Sequence, residues 1–183
     1  MTINGQITSN LSINSKTFLL KSSRAALGFL GNINRVDTGG KRDLILGEFN
    51  NIGNETRLIQ RFDLAGNPGA VLVGVRLYHG DTRNRQGKAS DGNDADFRFM
   101  DDGKLEGSDV RFPSENGAAF AELLLPLSGC WYLTPGVRIE HIRTRSSGYY
   151  TKTDRHPLTG EVLSEMSIDT TTGRNRSIAL FGM

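Results

Sequence analysis

Nine consecutive residues, 70–78, constrain this chain more than any other stretch. Val71, Val73, Val75 and Leu77 fall on one side of an extended backbone, while Ala70, Leu72 and Gly74 make the other side nearly apolar. β-Branched residues at alternate positions suit a pleated surface and not a helix, whose side chains repeat every 3.6 residues. Apolar residues on both sides predict a central strand covered on both faces. The preceding Ala-Gly-Asn-Pro-Gly, 65–69, is turn chemistry that sets where the strand begins.

The two-residue repeat recurs along the chain. Leu58, Phe62 and Leu64 alternate with Arg57, Arg61 and Asp63; Ala95, Phe97 and Phe99 with Asp96 and Arg98; Val137, Ile139 and His141 with Arg138 and Glu140. Further strands are expected at 17–20, 25–30, 43–49, 110–112, 149–153, 161–168 and 177–181. Ile3, Ile7, Leu11 and Ile13 share the odd positions, so 1–16 reads as a polar N-terminal arm or strand ahead of one β domain at 17–183. Turn residues punctuate these runs at Gly31-Asn32, 37–40, 101–104 and 154–160. Two stretches depart from the pattern. Phe120, Leu123, Leu124 and Leu127 follow helical spacing, with Ser114 to cap and Pro126 to stop, which predicts a short helix near 116–125. Residues 79–94 carry almost nothing apolar and read as a long loop, functional or disordered. With no crossover helices for parallel pairing, the expected fold is all-β: an antiparallel β-sandwich or jelly roll of about nine to eleven short strands.

Composition bounds the function classes. A hydrophobic fraction of 37% supports a packed domain rather than a disordered chain. The net charge of +2 is too small to argue for a polyanionic partner, so nucleic acid is a minor expectation. Cys130 is the sole cysteine, which excludes an intrachain disulfide. Beside Trp131 and Tyr132 it reads as a small buried hydrophobe rather than a nucleophile. The first residues lack the charged and apolar regions of a secretory signal. No apolar run approaches the ~20 residues of a membrane-spanning helix, so no membrane span is expected. The implied location is cytoplasmic synthesis, with a virion as one destination.

Chemistry-bearing groups are scattered. Asp91, Asp94 and Asp96 lead an acidic segment that suits a hard cation such as calcium, but their spacing is not that of an EF-hand loop, and solvated turns account for them better. His79, His141 and His156 are too dispersed for a zinc set. His141 and Glu140, adjacent on a strand, point to opposite faces. Nucleophile elbows, phosphate loops and dinucleotide fingerprints are absent, so no catalytic residue is assigned and enzymatic activity is disfavoured. Arg83 with Arg85, and Arg143 with Arg145, are spaced to share a strand face, with Tyr149 and Tyr150 beside the second pair; these six are the candidate partner-binding residues.

Three functions follow as expectations. The leading one is a non-enzymatic assembly subunit, such as a capsid, decoration or tail component of a virus or phage particle, acting through protein–protein contacts as a homo-oligomer or larger assembly. The second is a carbohydrate- or ligand-binding β-sandwich, with calcium assisting and with Trp131, Tyr132, Tyr149 or Tyr150 beside the acidic loops. The third is a small histidine-dependent hydrolase such as a nuclease, requiring the histidines and a carboxylate to meet.

Overall fold

The computed structural model describes residues 1–29, 40–101, 103–128, 131–159 and 161–182. The expected turns at Gly31-Asn32 and 37–39, Asp102 and Cys130 lie outside the described residues. Eight strands follow in chain order: β1 (Thr2–Gln6), β2 (Leu11–Gly28), β3 (Asp43–Leu64), β4 (Asn67–Lys88), β5 (Ser108–Ser128), β6 (Trp131–Leu133), β7 (Gly136–Arg155) and β8 (Val162–Gly182). They form one antiparallel sheet in the order β1-β2-β3-β4-β5-β7-β8, with the short β6 paired to the end of β5. All-β, antiparallel architecture is as the alternation predicted. The sheet is nevertheless single, and among the described residues no second layer covers it.

Several local expectations are corrected. The segment 116–125 is not helical but lies inside β5, in register with β4 and β7. Phe120 and Leu124 fit both periods while Leu123 falls on the opposite face of a strand, and the ladders to β4 and β7 decide for the strand, because an extended segment there pairs its backbone with two long neighbours. Residues 79–88 are not loop but the upper half of β4. The ladder to β3 pairs every one of them, and the apolar side chains at that level stand on β3, where Ile52 faces His79, Phe49 faces Thr82 and Leu46 faces Arg85. Strands are fewer and far longer than expected, since turn-like residues such as Gly53, Gly74 and Gly80 sit within strands instead of ending them.

The glycines have cross-strand reasons. Phe18 faces Gly53, Phe62 faces Gly69 and Phe120 faces Gly74, and in each pair the ring lies where a Cβ would stand, 2.3–2.4 Å from its ideal position. Aromatic rings laid over strand glycines restore the contact that the missing side chain would have made. The β3–β4 hairpin closes on Ala65 and Gly66, both at positive φ (52° and 78°), and the Asp63 carboxylate accepts the Gly66 N–H at 2.7 Å. That is the backbone twist two-residue hairpins favour.

Connections differ at the two ends of the sheet. One end is turned by residues 7–10, 65–66 and 129–135, the other by 29–42, 89–107 and 156–161. At the latter end the β4–β5 connection folds back on the sheet: Ala89, Phe99 and Leu105 bury against Leu44, with Leu27 and Leu46 beside them. Arg42, itself buried, ties this cap by donating to the Ser90 and Asp94 carbonyls at 3.0 and 2.6 Å.

Candidate functional site

Strand pleating divides the sheet into two faces, and the register assembles each from residues far apart in sequence. On the face of the odd-numbered β4 residues, Ile13, Leu58, Val73, Ala121, Val137 and Phe181 stand side by side across six strands. The next row holds Ser15, Thr56, Val75, Ala119, Ile139 and Ala179. Directly behind, on the other face, lie Asn14, Arg57, Gly74, Phe120, Arg138 and Leu180, and then Lys16, Glu55, Arg76, Ala118, Glu140 and Ile178.

Along β4, accessibility alternates with the pleat. Val71, Val73, Val75 and Leu77 are 36, 44, 50 and 63% exposed, whereas Leu72, Gly74, Arg76 and Tyr78 between them are partly covered. The expectation that this strand is covered on both sides therefore fails: its most apolar stripe is bare. In water, each such side chain forgoes about half of the 1.5–3 kcal/mol that full burial would give.

The covered face carries an ordered charge lattice. Glu55 accepts from the guanidinium of Arg57 at 2.7 Å and lies 3.8 Å from Arg76, and Glu140 accepts from Arg138 at 2.7 Å. Arg57 and Arg138 stack over Phe120, with guanidinium carbons 5.9 and 5.3 Å from the ring centre.

Beyond the apolar rows, nearer the cap, the exposed face becomes polar. Arg83 and Arg111 face each other across β4 and β5, and their repulsion is relieved diagonally. Arg83 donates to Asp109 at 2.6 and 2.8 Å, and Arg111 to Asp81 at 2.7 Å. Hydrogen bonds from Arg111 and Arg83 hold the Asp81 and Asp109 carboxyls below their ordinary range. With Glu48, Asn50, Ser147 and Tyr149 these residues line a shallow cavity of about 580 Å³. Arg85 lies 3.6 Å from Glu48 and stacks on Phe99 of the cap.

Of the six candidate binding residues, Arg83, Arg85, Arg143, Arg145 and Tyr149 share this face, and Tyr150 points to the other. Tyr149 accepts the Leu105 N–H at 2.6 Å, joining the sheet to the cap. The acidic trio does not converge: Asp94 pairs with Arg42 and Asp96 with Arg98, and among the described residues no three potential ligands gather about one point. His79 lies 3.9 Å from Glu115, His141 bonds Ser177, and His156 accepts the Thr159 N–H within its own turn. Trp131 and Tyr132 are exposed, but they sit at the end of the sheet away from the acidic loop. Sequence reasoning missed the Arg57–Phe120–Arg138 stack, whose members lie on three strands. The arginines were visible singly, and only the register joins them.

No family model matches this sequence, and no curated protein does. Among solved structures, the chain is similar to the ferric citrate transporter FecA in its unliganded form. The likeness has a TM-score of 0.60 at 18% identity and covers 98% of this chain. It is a likeness of fold, the long-stranded antiparallel wall of a β-barrel transporter. This chain spans only 24% of that protein's length.

Proposed function

We propose that this chain forms a sector of the wall of a membrane-spanning β-barrel, with the row from Ile13 to Phe181 turned to lipid and the Arg57–Phe120–Arg138 row turned to a polar interior. The observation that carries this reading is the partition of the sheet: Val71, Val73, Val75 and Leu77 stand exposed on one face of β4, while Arg57, Arg76 and Arg138 on the reverse face are paired with carboxylates or stacked on Phe120. In a barrel wall the outward residues are apolar and the inward ones polar, the reverse of a water-soluble core. The apolar stripe of β4, bounded by Gly69 and His79, matches the roughly 9–11 tilted residues with which a strand crosses a bilayer. The short turns 7–10 and 65–66 at one end and the longer β4–β5 connection at the other fit the same architecture. The absence of a long apolar helix does not bear on a barrel, which crosses with strands.

Six antiparallel steps separate β1 from β8, so these edge strands run in the same direction and cannot close on each other antiparallel. A barrel built on this sector needs further strands, in keeping with the quarter of the transporter's length that the chain spans. By analogy with that transporter, the charged interior face serves passage or retention of a polar solute. Unfolded chain diluted into phospholipid vesicles should gain β structure, float with the vesicles and resist added protease. Dilution into buffer alone should give aggregate. A monodisperse β-folded protein in buffer would overturn the reading.

A second reading, the protein-assembly subunit expected from sequence, is favoured by one feature of the bare face. Asn54 donates to Ser15 and Thr17 at 3.1 and 2.9 Å, and Thr56 joins them, which places a polar quartet among the apolar rows of β2 and β3. Contact with protein suits that sector better than contact with lipid. A symmetric oligomer in detergent-free buffer is the result that would select it.

A further inference from the structure

Following β7 along the bare face toward the cap, Val137 and Ile139 give way to His141 and then to Arg143 and Arg145. Both arginines are exposed, and neither pairs with any described residue. Their surroundings explain why. The neighbouring carboxylates of this face are engaged elsewhere: Asp81 by Arg111, Asp109 by Arg83 and Glu48 by Arg85; Glu115, opposite Arg143, lies 3.9 Å from the His79 ring and forms no ion pair with Arg143. On β8, Arg143 and Arg145 stand opposite Asn175 and Gly173, and the next acid, Asp169, faces Tyr149 further toward the cap. Two guanidiniums are therefore in surplus on one strand, immediately beyond the last apolar rows.

We propose that Arg143 and Arg145 bind the phosphate of an anionic lipid headgroup at the edge of the bilayer. This rests on the reading of the bare face as lipid-facing. A guanidinium presents a planar fork of donors that fits phosphate oxygens, and its stem lies along the apolar rows while its head stays in the headgroup layer. Arg145, flanked by Gly173, has no neighbouring side chain on that side to restrict its approach.

The test uses the whole chain folded into phosphatidylcholine vesicles with and without phosphatidic acid, with binding followed by the emission of the single tryptophan, Trp131. Phosphatidic acid should tighten association roughly 25-fold, the product of about fivefold for each of two basic residues at an anionic surface. Arg143→Gln with Arg145→Gln should abolish that gain while leaving association with neutral vesicles unchanged. The corresponding lysine variants should keep part of it, and added inorganic phosphate should compete only feebly if lipid is the source. Equal binding to both vesicles, an undiminished gain in the glutamine variant, or full competition by free phosphate would overturn the lipid site and leave the barrel reading standing. Failure to enter either vesicle would overturn both.

Discussion

The cap and the middle of the sheet treat apolar side chains in opposite ways. At the cap, Leu44 is fully buried under Ala89, Phe99 and Leu105, and the buried cation Arg42 finds carbonyl partners. In the middle of the same strands, valines and leucines stand bare while arginines on the reverse face are stacked and paired. The chain thus builds a water-type core where it meets water. On the proposed barrel reading the exposed rows are a surface for another solvent, while the same polypeptide closes a core only a few residues further along β3 and β4. The difference between the two regions is one of surroundings, and each can be perturbed alone.

The largest separation should come from Val73→Arg combined with Val75→Arg. At the level of the bilayer centre each change costs about 2–4 kcal/mol, so vesicle insertion should be lost, while the variant's solubility in buffer should not worsen. Leu44→Ala should act on the cap alone. Removing a fully buried leucine costs about 2–5 kcal/mol locally, and hydrogen exchange of residues 88–106 should accelerate while insertion persists. Were Leu44→Ala to block insertion, cap and band would be one cooperative unit. Gly74→Ala places a Cβ 2.3 Å from the Phe120 ring; with the ring held between Arg57 and Arg138, the overpacking should cost about 1–3 kcal/mol in urea unfolding. The smallest effect is that of pH. Asp81 and Asp109 have depressed pKa values when folded, so their contribution is present above the unfolded carboxylate pKa of about 3.9 and is lost as pH falls through the lower folded values. Acidification should loosen the Arg83–Arg111 cluster, seen as faster exchange there, with the apolar rows unaffected.

How the strands arrange themselves was only partly legible in the sequence. Alternation from Val71 to Leu77 identified β4, but period two is common to a sandwich core and a lipid-facing wall, and nothing local to those residues separates the two. What separates them is the reverse face: Arg57, Arg76 and Arg138 become a lattice only once β3, β4 and β7 are in register. The polar stretch 79–88 looked like loop because the apolar side chains at that level belong to β3 and the cap, which the local sequence does not show. At 116–125 the alanines weaken the alternation and the leucines mimic a helix, and the neighbouring ladders override both. Pairing of Arg83 with Arg85, and of Arg143 with Arg145, on one face was legible, because it depends only on spacing within a strand. That the first pair is engaged by Asp109 and Glu48 while the second is left over depends on neighbours 24 or more residues away.

The most direct measurement is a label scan of β4. In a background with Cys130 replaced by serine, single cysteines at positions 70–77, each carrying a spin label, would be exposed in vesicles to oxygen, which concentrates in lipid, and to a water-soluble nickel complex. Oxygen accessibility should peak at 71, 73, 75 and 77 and the nickel complex should favour 70, 72, 74 and 76, an alternation of period two. Labels at 71–77 reached equally by the nickel complex, or shielded from both reagents, would contradict a lipid-facing wall.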